Sequence, residues 1–166
     1  MSTRTLITPE EYERMSFEGP EPDYLDGELV ERPLPNDSHS SAQTELIAVF
    51  LEFRKSHPVH IRPELRLHVS SHRYRIADLA VFLGERPAYP YPTTPPLIVI
   101  EIISPDEKHS ELMSKLEDYE AWGVIQVWAV NPELKRLYVF SRGTLAVVSR
   151  WQVPEIGVEI TPEQVF

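Results

Sequence analysis

Cysteine is absent from the chain, which excludes a disulfide framework, a thiol nucleophile and a cysteine-ligated zinc site. Glycine is scarce, at 6 residues, and the glycines are scattered, so neither a phosphate-cradling loop nor a nucleophile elbow is spelled. No apolar run approaches the roughly 20 residues that cross a bilayer. Met1-Ser2-Thr3-Arg4-Thr5 lacks the apolar stretch of a signal peptide, so a cytoplasmic location is expected. Basic residues are outnumbered: 16 Lys and Arg face 26 Asp and Glu, giving a net charge of −10. A broad basic surface for nucleic acid is therefore missing, and phosphate contacts supply most of such affinity. A bound divalent cation would offset two carboxylates of that excess. The 6 histidines form no helical zinc-binding pair. His68 and His72, on strand-like sequence, stand roughly 13 Å apart if extended, too far to share one ion unless the intervening serines fold them together.

Proline is plentiful instead, with 16 residues gathered at segment ends, where they punctuate the fold. A length of 166 residues and 42% hydrophobic content suit one domain over 1–166. It divides into an N-terminal helix and hairpin (1–38), a core (39–142) and a C-terminal extension (143–166). Thr8-Pro9-Glu10-Glu11 spells a capping box and predicts a short helix to Met15. Asp23 to Arg32 reads as a hairpin turning at Asp26-Gly27. Ala42 to Lys55 has helical spacing, while His60–Val69 and Tyr74–Leu83 read as strands, the first bent or at an edge because of Pro63. Leu97 to Ile103 is apolar on both faces apart from one carboxylate and reads as a central strand. Ser104-Pro105-Asp106-Glu107 is spelled as a second capping box, predicting a helix to Trp122 that stops at Gly123. Ile125–Val130, Leu137–Phe140 and a strand reaching Trp151 follow, and Thr161-Pro162-Glu163-Gln164 repeats the cap spelling. The order helix, three strands, helix, strand predicts an α/β fold with a mixed sheet: close strands antiparallel, the pair around the second helix parallel.

Three residues contradict their surroundings. Asp78 lies in Ile76-Ala77-Asp78-Leu79-Ala80-Val81-Phe82, and Glu101 lies between Val99 and Ile103 on its own strand face. An unpaired buried carboxylate costs several kcal/mol or becomes neutral, so such residues are paired or bind a metal. Lys115 falls about 60° from Leu112 on a helical wheel, on the flank of the stripe made by Leu112, Leu116 and Tyr119. Glu111 and Tyr119 lie one turn away, placed to orient it. Lys108, on nearly the same face, is a rival. A lone strand carboxylate is more often a salt-bridge partner, and a flank lysine more often snorkels to water; the three in this order are harder to explain so. Ser104 reads first as a helix cap, His39 as a cap or surface residue, and Tyr89 and Tyr91 as loop packing.

The ordered motifs resemble the Uma-two family, restriction-endonuclease-like proteins of the PD-(D/E)XK nuclease superfamily. Tyr24-Leu25-Asp26-Gly27-Glu28-Leu29-Val30-Glu31 matches its opening hairpin, His39 its histidine, Arg75 to Val81 its aspartate strand and Val99 to Pro105 its glutamate motif. Lys115, Tyr119, Gly123-Val124 and Trp128 fall at its lysine, tyrosine, glycine-valine and tryptophan positions. Ala77 stands where the superfamily name has proline, and Ile103 where its strand lysine would be; in this family the lysine moves to the helix, which gives Lys115 that role. Glu107 replaces a threonine, and Glu111 and Asn131 each replace an aspartate. The resemblance implies a restriction-endonuclease-like core and phosphodiester hydrolysis of nucleic acid, DNA foremost, by a homodimer. It implies Mg²⁺, or Mn²⁺ as a substitute, held by Asp78, Glu101 and the backbone carbonyl of Ile102. Lys115 would hold the attacking water and neutralise charge on the phosphoryl group, with His39, Ser104, Glu111 and Tyr119 as accessories. Two alternatives stay open: a catalytically silent binding or regulatory module of the same fold, and a metallo-hydrolase of a smaller substrate.

Overall fold

The structure is a computed structural model that describes residues 6–166; the leader reading at Met1 to Thr5 lies outside them. Helix α1 (Pro9–Arg14) is capped as spelled, with the Thr8 hydroxyl accepting from the Glu11 N–H and Glu11 reaching back to the Thr8 N–H. Strands β1 (Asp23–Leu25) and β2 (Glu28–Val30) turn at Asp26 and Gly27, whose φ values of 52° and 97° suit the mirror-image turn that joins tight hairpins. Tyr12 of α1 stacks on Tyr24 of β1 at 5.1 Å between ring centroids and packs against Tyr74, so α1 and the hairpin are pinned to the sheet as one unit.

Helix α2 spans Asp37–Phe53 and begins five residues before the expected Ala42. Asn36 is its cap and accepts the His39 N–H at 2.9 Å; an asparagine cap satisfies an otherwise orphaned donor as well as serine does. His39 therefore lies inside the first turn and is buried. The long strands β3 (Val59–Ser70) and β4 (Arg73–Leu83) pair antiparallel, β4 pairs antiparallel with β5 (Ile98–Ile102), and β5 pairs parallel with β6 (Gln126–Asn131). Helix α3 (His109–Trp122) makes the crossover between the last two and stops at Gly123, φ 106°. Its start corrects the Ser104 cap reading: Lys108 holds the cap position, and Ser104 offers only its carbonyl, to the Glu107 N–H. Strands β7 (Arg136–Ser141) and β8 (Thr144–Val148) continue the sheet, and β9 (Trp151–Val153) with β10 (Val158–Ile160) forms a separate pair, so the single strand expected to reach Trp151 is two.

The sheet order is β2-β1-β4-β5-β6-β7-β8, with β3 paired to β4 alone. This is the mixed α/β sheet of a restriction-endonuclease-like fold. Pro63 sits on β3, an edge strand, where a missing N–H costs no ladder bond. Helix α2 covers one face, burying Ala42, Leu46 and Phe50 against Leu79, Ile98, Ile100 and Trp128. Helix α3 covers the other with Leu112, Leu116 and Tyr119 against Ala80, Val99 and Val127. Each large apolar side chain so buried contributes about 1.5–3 kcal/mol. Two helices thus clamp the middle of β4 and β5, where Asp78 and Glu101 lie. No helix among the described residues is long and apolar enough to cross a membrane.

Candidate active site

The register sets three carboxylates in a row. Pro63 faces Leu79 and Leu65 faces Ala77, which puts Glu64 opposite Asp78; Leu79 faces Ile100, and one step further along β5 puts Glu101 opposite Asp78 on its other side. Glu64 has φ 49°, a left-handed conformation uncommon for a side chain with a Cβ, so the backbone is bent at this position of the row.

Asp78 is 4% exposed and Glu101 1% exposed. One oxygen of Asp78 accepts the Ile102 N–H at 2.7 Å, and the other accepts from Arg32 at 2.9 Å and lies 3.7 Å from Nε2 of His39. Glu101 accepts the Tyr119 hydroxyl at 2.8 Å on one oxygen and faces Nζ of Lys115 at 3.3 Å on the other. Lys115 also lies 3.2 Å from Glu107, whose side chain is 4% exposed. Lys115 is thus inside the buried stripe of α3 rather than on its flank. Lys108, the rival, is exposed and pairs with Glu111, so Glu107 takes the place beside Lys115 expected of Glu111. Ser104 is buried and shares a small cavity with Arg32, His39, Asp78, Ile102 and Lys115.

Burial without enough positive charge pushes Asp78 up to about 6, against the pull of Lys115 and Arg32. Burial likewise pushes Glu101 up to about 7, with Lys115 opposing and Asp78 adding to the rise. Burial works against the ammonium of Lys115, but Glu101, Asp23, Glu107 and Asp78 outweigh it and hold its pKa above the ordinary lysine value. Burial lowers His39, whose Nδ1 is buried without a hydrogen-bond partner.

The sequence reading missed three participants. Arg32, on the irregular segment 31–36, spans two strands: one guanidinium nitrogen contacts Asp78 and the other Glu64, at 2.8 Å. Gln43 of α2 donates to Glu64 and to the Asp78 carbonyl. His39, Glu64 and Asp78 offer ligand atoms all within 4.8 Å of one another. The carboxylates suit a hard divalent cation, and the imidazole adds a borderline ligand. Beside them a cleft of about 250 Å³ is lined by Pro33, Pro35, His39, Gln43, Glu64 and Asp78, among others.

His68 stacks on Tyr74 at 4.3 Å, an arrangement of packing. Tyr91 is also in packing contact, with Tyr74 and Arg66, whereas Tyr89 projects into solvent.

Among curated proteins none matches the chain significantly. A crystal structure from Anabaena variabilis ATCC 29413, titled a "putative nuclease belonging to DUF820", superposes with a TM-score of 0.82 at 20% identity, covering 96% of this chain and 97% of that one. That likeness is one of fold. The family described as "Uma2: Putative restriction endonuclease" matches residues 9–166, so the chain belongs to the Uma2 family.

Proposed function

We propose that this domain is a divalent-cation-dependent nuclease hydrolysing phosphodiester bonds of nucleic acid, DNA foremost, with Asp78, Glu101 and Lys115 as its catalytic residues. The observation that carries the reading is the placement of a buried ammonium and two buried carboxylates on adjoining strands and one helix, next to a cleft. Membership of the family supports it.

The residues fit a bound cation. Burial raises Asp78 and Glu101 even against Lys115 and Arg32, a cost that a bound cation would offset, and the buried Nδ1 of His39 has no partner. Asp78, Glu101 and the carbonyl of Ile102 would hold Mg²⁺ or Mn²⁺, with His39 and Glu64 near enough to contribute. Such an ion polarises the phosphodiester and makes water a competent nucleophile near neutral pH. Lys115 stays charged, so it donates hydrogen bonds and accepts no proton. Its ammonium can therefore position a water by its lone pair or neutralise charge growing on the phosphoryl oxygens. Tyr119 fixes the Glu101 carboxylate from the opposite side, and the Ile102 N–H fixes Asp78.

The net charge of −10, which leaves little basic surface for a long polyanion, favours a second reading, hydrolysis of a smaller phosphate ester by the same centre. Labelled single-stranded and duplex substrates, with a small diester beside them, separate the two. Nucleic-acid cleavage that EDTA abolishes and that Asp78→Ala loses is the expected result; diester turnover alone would select the second reading, and no cation-dependent turnover of either would refute both. We also propose that two copies pair through the outer strand β8, where Val147 is 58% exposed; a monomer mass in sedimentation would overturn this.

A further inference from the structure

Arg32 occupies a position that a divalent ion would need. Its two terminal nitrogens each rest on a different carboxylate, Glu64 at 2.8 Å and Asp78 at 2.9 Å, so the guanidinium bridges β3 and β4 as a metal would. Those are two of the three residues whose ligand atoms cluster within 4.8 Å, and the third, His39, approaches the same oxygen of Asp78 that Arg32 holds. A small cation coordinates oxygens at about 2.0–2.1 Å. It cannot reach Oε2 of Glu64 and Oδ1 of Asp78 while a guanidinium of the same sign rests on these two oxygens.

The way Arg32 is held suits release. Its side chain is 8% exposed, yet Nε has no hydrogen-bond partner, so the side-chain hydrogen bonds that secure it are those to the two carboxylates. It is carried on residues 31–36, which belong to no helix or strand, and its departure breaks no sheet ladder. Arg32 also lines both the cleft of about 250 Å³ beside His39 and Glu64 and the one of about 130 Å³ beside Glu107 and Lys115. Arg32 and Pro33 are the residues the two linings share.

We propose that Arg32 is the resident counter-cation of the carboxylate centre and is exchanged for the divalent ion, which opens the two clefts into one groove along the carboxylate row. This rests on the metal-centre reading above and adds a residue that competes with the ion. A purely structural arginine would stabilise the fold without opposing the metal.

The experiment is calorimetric titration of EDTA-dialysed protein with Mn²⁺ alone, for wild type, Arg32→Lys and Arg32→Gln, with Asp78→Asn as the site control. Lysine keeps the charge and the fold but cannot bridge two carboxylates, so it guards against a glutamine variant that folds poorly. The expected order of Mn²⁺ affinity is Gln tightest, then Lys, then wild type, with about tenfold between the extremes. The Mn²⁺-induced rise in melting temperature should follow the same order. Equal affinities, or a tightest wild type, would overturn the exchange while leaving the metal centre standing. Absence of Mn²⁺ binding in every variant and in wild type would overturn both.

Discussion

Nζ of Lys115 lies 3.3 Å from Oε2 of Glu101, although the two are 14 positions apart and belong to a helix and a strand. The parallel crossover makes this contact: β5 ends, α3 returns over the sheet, and its buried face meets the strand it has just left. Replacing Lys115 with methionine keeps most of the packing volume and removes the charge. The proposed nuclease activity should fall roughly 10²–10³-fold, the usual cost of one preorganised electrostatic donor. Arginine at this position should not restore it, because a planar fork does not fit the space of a point charge. Cleavage rates at saturating Mg²⁺ test this, and full activity in Lys115→Met would remove the residue from the mechanism.

Tyr119→Phe deletes one hydrogen bond to Glu101 and leaves the ring in the core. Outer-shell losses of this kind cost roughly 10–100-fold in metal affinity or activity. Calorimetry with Mn²⁺ should show that loss while the circular dichroism spectrum is unchanged. Unaltered affinity would mean that Tyr119 serves packing alone.

The ionisation of Glu101 links stability to pH. Its folded pKa, about 7, is above the ordinary 4.5, so the folded state retains a proton that the unfolded chain has released. The resulting stability is fully present below the lower value and is lost as pH rises through the upper one. Glu101→Gln mimics the protonated form at every pH. In EDTA, its melting temperature relative to wild type should therefore climb between about pH 5 and about pH 8. A difference that stays flat across this range would show that Glu101 is already ionised in the folded protein.

Asp23 and Arg75 make a buried pair at 2.9 Å, with side chains 2% and 3% exposed. Asp23 also accepts the Ile76 N–H, which ties β1 to β4. Arg75→Met leaves an uncompensated buried carboxylate, and such losses cost about 3–5 kcal/mol. Adding Asp23→Asn should return part of that stability in urea melts, because the orphaned charge is gone. Strict additivity of the two single changes would refute the coupling.

Trp151 stacks on Trp128 at 4.5 Å and donates to the Tyr138 carbonyl, so β9 is anchored to the central sheet. Trp151→Ala should destabilise by about 3–5 kcal/mol. A shift under about 1 kcal/mol, well below that cavity cost, would mean that the C-terminal segment is an independent appendage.

Some of this arrangement can be read from the chain and some cannot. Asp78 and Glu101 are visible because each interrupts an apolar strand, and a charge there has to be answered by a partner. Tyr119 is visible because helical spacing puts it on the buried side of α3, and Lys115 because the same spacing puts it at the flank of that side, although its full burial is a tertiary property. Arg32 and Glu64 are not visible, because a charged residue in a loop or on an edge strand is ordinary. They join the cluster only through the register of β3 against β4, a long-range property that local spacing does not encode. The helix starts show the same division. Asn36 is as good a cap as any, and that signal was there to be read. Ser104-Pro105-Asp106-Glu107 spells a cap that tertiary structure overrides: Glu107 leaves the capping role to meet Lys115.

The cluster draws on six separate stretches of chain: the segment carrying Arg32, α2 with His39, β3 with Glu64, β4 with Asp78, β5 with Glu101 and α3 with Lys115. No fragment that lacks one of these can reproduce it. Any ligand of the full cluster therefore binds only chains in which sheet and crossover are both complete, and its saturating stoichiometry counts the correctly folded molecules in a preparation.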